Sequence, residues 1–121
     1  MFRLACSLTA LVCAVLFLIF LIVPGHYIAG YRVEADASGV FLGRRASPLF
    51  LGLALLLWMV RDQFDPVLQR AVCWSMIAVF AGIALTGVAA FVTGVAGQII
   101  LLAAVGELVI AGAFFWAMRR S

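Results

Sequence analysis

GVFLGRRASPLFLGLALLLWMV, from Gly39 to Val60, is the stretch on which the fold turns. Read from Ala46, it is an apolar run of 15 residues, too short for a bilayer core that takes about 20 residues of helix to cross. Read from Gly39, it is 22 residues long and crosses, with Arg44 and Arg45 carried into the membrane. In the short reading Ser47 caps a helix and Pro48 fills its first position. In the long reading Pro48 kinks the helix and frees the carbonyl of Arg44. The long reading is preferred, because the short one leaves Val40-Phe41-Leu42 as an exposed apolar patch and sets unpaired backbone against lipid.

Three further apolar runs flank this one: Leu4 to Val23, Ala71 to Thr93 and Gln98 to Met118, of 20, 23 and 21 residues. Each crosses unaided. The chain of 121 residues is 68% hydrophobic and 11% charged with a mean hydropathy of +1.28, more apolar surface than a water-soluble domain of this size can hide. Soluble enzymes and soluble nucleic-acid binders are excluded, and the partner to expect is the lipid bilayer. The expectation is an all-α polytopic membrane protein, a bundle of four transmembrane helices at about 4–23, 39–60, 71–93 and 98–118, forming one domain over 1–121. The first run is longer than the apolar part of a signal peptide and no A-x-A-like site follows it closely, so it is read as a retained helix.

The connections orient the bundle. Pro24 to Ser38 is a long loop, Arg61 to Arg70 a polar turn, and Gly94 to Gly97 a tight hairpin. All eight basic residues are arginine; Arg3, Arg61, Arg70, Arg119 and Arg120 fall on one side, and Arg32, Arg44 and Arg45 on the other. Five against three places both termini in the cytoplasm.

Within the third helix Ala78, Gly82, Thr86, Ala90 and Gly94 recur every four residues, and the expectation is a small-residue ridge against which another helix packs. Ala103, Glu107 and Ala111 repeat the spacing in the fourth helix and would face it. Cys6, Cys13 and Cys73 sit in apolar runs without metal or redox spacing, and read as buried thiols; Cys6 and Cys13, seven apart, share a helix face.

Glu107, in the middle of the fourth helix, is the strongest chemical cue, since a carboxylate at that depth costs several kcal/mol unless protonated or paired. One reading makes it a proton-binding or cation-binding group; the other makes it a structural residue ion-paired to an arginine. Arg45, or Arg44 in its place, is the expected partner, the remaining arginine rising to the headgroups. Adjacent residues point about 100° apart, so one partner cannot meet both. His26, Tyr27, Tyr31, Glu34 and Asp36 are candidates for the mouth of an outer-loop entrance. One histidine makes no metal site, and none is expected. Trp58, Trp74 and Trp116 read as an aromatic belt. No P-loop, GxSxG, HExxH or CxxCH pattern occurs, so the reading leans away from an enzyme.

The order of parts, with Gly39-Val40-Phe41-Leu42-Gly43-Arg44-Arg45 leading into Leu51-Gly52-Leu53-Ala54-Leu55-Leu56-Leu57-Trp58, resembles the DoxX-like group of small four-helix bacterial integral membrane proteins. The resemblance implies the bacterial cytoplasmic (inner) membrane. Some members of that group resemble the membrane subunit of a thiosulfate:quinone oxidoreductase, so quinone is the one cofactor it implies. It assigns no catalytic residue. Small multidrug-resistance exporters share the length and helix number but carry their essential acid in helix one, where this chain has none. Two functions are carried forward: an accessory or scaffold subunit of a membrane complex or homo-oligomer, locked by Glu107 and Arg45; or a proton-coupled transport or quinone-associated redox component that uses Glu107.

Overall fold

The computed structural model describes residues 1–33 and 36–120, Arg120 by its main chain only, and among these residues there are five helices and no strand. They are α1 (Phe2–Ile22), α2 (Pro24–Gly30), α3 (Ala37–Val60), α4 (Pro66–Val92) and α5 (Ile99–Arg120). All except α2 are long and apolar enough to cross a membrane, so the fold is an all-α, four-helix bundle. α1 packs along α3 and α4 along α5, and the two hairpins meet chiefly where α1 touches α5. The spatial order is therefore α3, α1, α5, α4.

Local chemistry sets the helix ends. Asp36 opens α3, its carboxylate accepting the Gly39 N–H at 2.8 Å, and the helix then runs unbroken through Pro48. Proline removes the N–H that would have bonded the Arg44 carbonyl, and the buried Ser47 hydroxyl donates to that oxygen instead, at 2.7 Å. Pro24 likewise ends α1 by lacking the N–H that would bond the Phe20 carbonyl, and at the same corner Arg44 Nε donates to the Leu21 carbonyl at 3.3 Å. α1 and α2 turn against α3 at Gly43, where a Cβ would stand 3.0 Å from that of Pro24. The Pro24–Ser38 connection thus contains two turns of helix where the sequence reads as loop. α4 begins at Pro66, five residues before the apolar run at Ala71, because Asp65 caps it by accepting the Val67 N–H at 3.0 Å.

The core occupies the half of the bundle nearest the termini, around Cys6, Leu57, Cys73, Met76, Phe80 and Phe114, all fully buried. α1 enters it with a face of small residues, Ala5, Cys6, Thr9, Ala10 and Cys13, which lets neighbouring backbones approach. The ridge expected on α4 is a correction. Ala78, Thr86 and Gly94 are exposed, Gly82 and Ala90 are only partly covered, and Gly82 has nothing within 4 Å of a notional Cβ. The buried seam runs instead through Cys73, Met76, Phe80, Ala84 and Gly87. At about 100° per residue, a strict four-residue repeat drifts about 120° around the helix between Ala78 and Ala90, its last member within α4, whereas the seam from Cys73 to Gly87 drifts only about 40°. A straight antiparallel neighbour can follow the second and not the first.

The two ends differ. At the termini end Arg3 Nε lies 3.0 Å from Asp62 Oδ1, and the Arg61 guanidinium stacks 3.6 Å above the Trp58 ring while donating to its carbonyl at 2.6 Å. At the α2 end the α4–α5 turn closes through Gly94, at φ 80, and the Gly97 N–H donates to the Tyr31 carbonyl at 2.7 Å. Arg32, at φ 57, lies against Gly97, where a Cβ would stand 3.0 Å from the Arg32 Cδ. These contacts tie the α2 connection of one hairpin to the turn of the other.

Candidate functional site

Glu107 falls on the inward face of α5, three residues after the buried Ala104 and four before the buried Ala111. The two alanines leave room beside it for a side chain with a charged head. The residue is half-buried, and its Oε2 is wholly buried with no hydrogen-bond partner among the described residues. Buried polar atoms are paired in nearly every folded protein, because an unmet one forfeits its hydration with no return.

The arginine partner expected from the sequence is absent. Among the described residues neither Arg44 nor Arg45 lies within 4.0 Å of a carboxylate oxygen. Both are exposed on α3, and Arg44 is engaged at Leu21. Packing gives the reason: α5 neighbours α4 and α1, so α1 stands between Glu107 and the arginines of α3.

Toward the α2 end a cavity of about 420 Å³ opens between the hairpins, lined by Tyr27, Tyr31 and Asp36 on one side and Ala90, Ala96 and Ile100 on the other. Ile100 stands seven residues before Glu107 on the same face of α5, two turns nearer the surface. Tyr31 donates its hydroxyl hydrogen to the Tyr27 oxygen at 3.2 Å, and their rings meet edge to face. The Tyr27 phenol is pushed well above its ordinary range, first by burial, then by the Tyr31 hydrogen bond and by the nearby charges of Tyr31 and Glu107. Tyr27 therefore stays a neutral hydroxyl, lining the cavity and lying within reach of the Glu107 charge, while Glu107 itself is not part of the lining.

Of the five entrance candidates the structure brings Tyr27, Tyr31 and Asp36 together. His26 is exposed and does not line the cavity, and Glu34 lies outside the described residues. Sequence reasoning missed Ile28, Val33, Ala96 and Ile100, aliphatic wall residues with no local signature. Among the described residues there is no group of three or more His, Cys, Asp or Glu arranged to hold a metal. Cys6, Cys13 and Cys73 are buried free thiols. A second cavity of about 390 Å³, at the termini end, is framed by Arg3, Arg61, Asp62 and Gln69.

Chemically, the arrangement at the α2 end offers an acid inside the bundle, two phenols that can donate or accept, and an opening to the surface. No family model, curated protein or solved structure matches the chain, and the functional reading rests on this geometry.

Proposed function

We propose that this is a multi-pass protein of the bacterial cytoplasmic membrane, with both termini inside, in which Glu107 takes up and releases a proton through the Tyr27–Tyr31 cavity as part of a proton-coupled transport step. The observation that carries the reading is the buried Glu107 Oε2 with no donor among the described residues, on the side of α5 that faces the other hairpin. A structural carboxylate would be expected to have a fixed partner; one that changes protonation works best without one. The arginine distribution supports the orientation, with five at the termini end.

Infrared difference spectroscopy tests this without knowledge of the substrate. Protein in oriented liposomes is stepped through external pH, and a protonated-carboxyl band should respond in the wild type and vanish in Glu107→Gln. Identical spectra for the two proteins refute the proton role.

A second reading, an accessory or scaffold subunit, draws on the exposed Ala78 and Thr86 with the partly covered, uncrowded Gly82 between them, where a helix of another chain or of a second copy would pack closely. Gly82→Leu should then shrink the assembly seen by native mass spectrometry of membrane-extracted protein. An unchanged assembly removes this reading.

A further inference from the structure

Arg44 and Arg45 take no part in the proposed proton site, and their surroundings call for a different ligand. α3 has 24 residues and so spans about 36 Å, which overshoots a hydrocarbon core of about 30 Å by roughly 3 Å at each end. Arg44 lies seven residues beyond Ala37, which puts its backbone roughly 7 Å inside that core, with Arg45 slightly deeper. Their long stems let both guanidiniums rise toward the headgroups, but an anion is needed there to offset two adjacent positive charges.

The described residues supply none: neither arginine is in an ion pair. Arg44 spends its Nε–H on the Leu21 carbonyl, which anchors the side chain at the corner of α1 and leaves its other N–H groups for another acceptor. Beside the two guanidiniums a groove of about 400 Å³ is lined by Ala37, Val40 and Phe41, on the surface side of the arginines. In the opposite direction, three, four and seven residues beyond Arg45, exposed Pro48, Leu49 and Gly52 continue the same stripe toward mid-membrane. Gly52 has no side chain and no neighbour within 4 Å of a notional Cβ, so the stripe is shallow there.

The two side chains leave α3 about 100° apart, but both line the one groove, so a ligand seated there can be reached from two sides. We propose that Arg44 and Arg45 bind the phosphodiester headgroup of one anionic phospholipid in this way, with an acyl chain lying along Pro48, Leu49 and Gly52. Guanidiniums match phosphate oxygens in fork geometry, and a headgroup without an ammonium offsets one of the two positive charges and brings no third beside them. A zwitterionic lipid supplies the phosphate but brings a like charge with it.

The test uses the full chain in phosphatidylcholine nanodiscs containing a minority of phosphatidylglycerol, released for native mass spectrometry so that the two lipid adducts are counted. The wild type should retain phosphatidylglycerol in preference, and the preference should fall roughly fivefold for each arginine removed, in Arg45→Gln and then in Arg44→Gln/Arg45→Gln. Among the described residues the Arg45 side chain makes no hydrogen bond, so Arg45→Gln tests the site without disturbing the α1 corner, and Arg45→Lys should restore part of the preference. Arg70→Gln, at the termini end, should leave it unchanged. An undiminished preference in the double variant overturns the proposal. So does inorganic phosphate displacing the lipid adduct at millimolar-scale concentrations, which would make the site one for a free anion.

Discussion

Ser47 and Pro48 form a pair whose coupling can be measured. Pro48 deletes the amide that would bond the Arg44 carbonyl, and the Ser47 hydroxyl, fully buried, fills the gap at 2.7 Å. Ser47→Ala removes the donor and leaves a carbonyl unmet inside an apolar helix, for which a loss of about 1–2 kcal/mol is expected. Such bonds between membrane helices average about 0.6 kcal/mol, but there the unfolded state finds other partners, which a carbonyl three residues from its donor finds less easily. A loss of that size shifts the folding equilibrium about 5–30-fold. Pro48→Ala returns an N–H that can bond Arg44 in the ordinary i to i−4 manner, so in that background Ser47→Ala should cost no more than about 0.3 kcal/mol. The assay is reversible unfolding in mixed micelles, followed by tryptophan fluorescence in all four proteins of the cycle. Equal costs of Ser47→Ala in the two backgrounds would show that the hydroxyl does not substitute for the missing amide, and the account of how α3 passes through Pro48 would fail.

Three other outcomes follow from the packing. Gly43→Ala should destabilise by about 1–3 kcal/mol in the same assay, because its Cβ would meet Pro24 at 3.0 Å, whereas Gly52→Ala, with open space around it, should be neutral or slightly stabilising. Phe114→Ala should cost about 3–5 kcal/mol, since the ring is fully buried where the hairpins join; a loss below 1 kcal/mol would mean that the core is misplaced. On α4, Ala84→Leu should destabilise while Gly82→Leu leaves the isolated monomer as stable as the wild type, and the reverse order would return the expected ridge to the interior.

Much of the fold was legible because lipid imposes a length rule. Four apolar runs separated by polar punctuation specify helices and their number, and the preference for a continuous helix through Arg44, Arg45 and Pro48 followed from the cost of bare backbone in lipid. The boundaries were less legible, and one cue cut both ways. Ser47-Pro48 and Asp65-Pro66 carry the same cap-and-proline signature, yet only the second begins a helix. What separates them is the preceding chain: Gly39 to Ala46 continues a helix already capped by Asp36, whereas Gln63 and Phe64 are irregular chain after the turn at Arg61 and Asp62.

The candidate site divides along similar lines. Glu107 could be singled out from its isolation in an apolar run, and Tyr27, Tyr31 and Asp36 from their place in a polar connection; their gathering at one cavity depends on the Gly97 to Tyr31 hydrogen bond, between residues 66 apart in sequence. No local pattern encodes such a contact.

The sequence by itself determined that the chain is helical, that four helices suit a bilayer, and that one acid stands within them, because hydropathy and helix length are properties of a segment and its solvent. Only the tertiary structure decided which face of each helix is inward. In water burial and polarity separate the faces; in lipid both faces are apolar, and the choice falls to the shape of neighbouring side chains. Thus α4 turned Phe80 and Ala84 inward and its small-residue stripe outward, and α1 came to stand between Glu107 and the arginines that sequence reading paired with it.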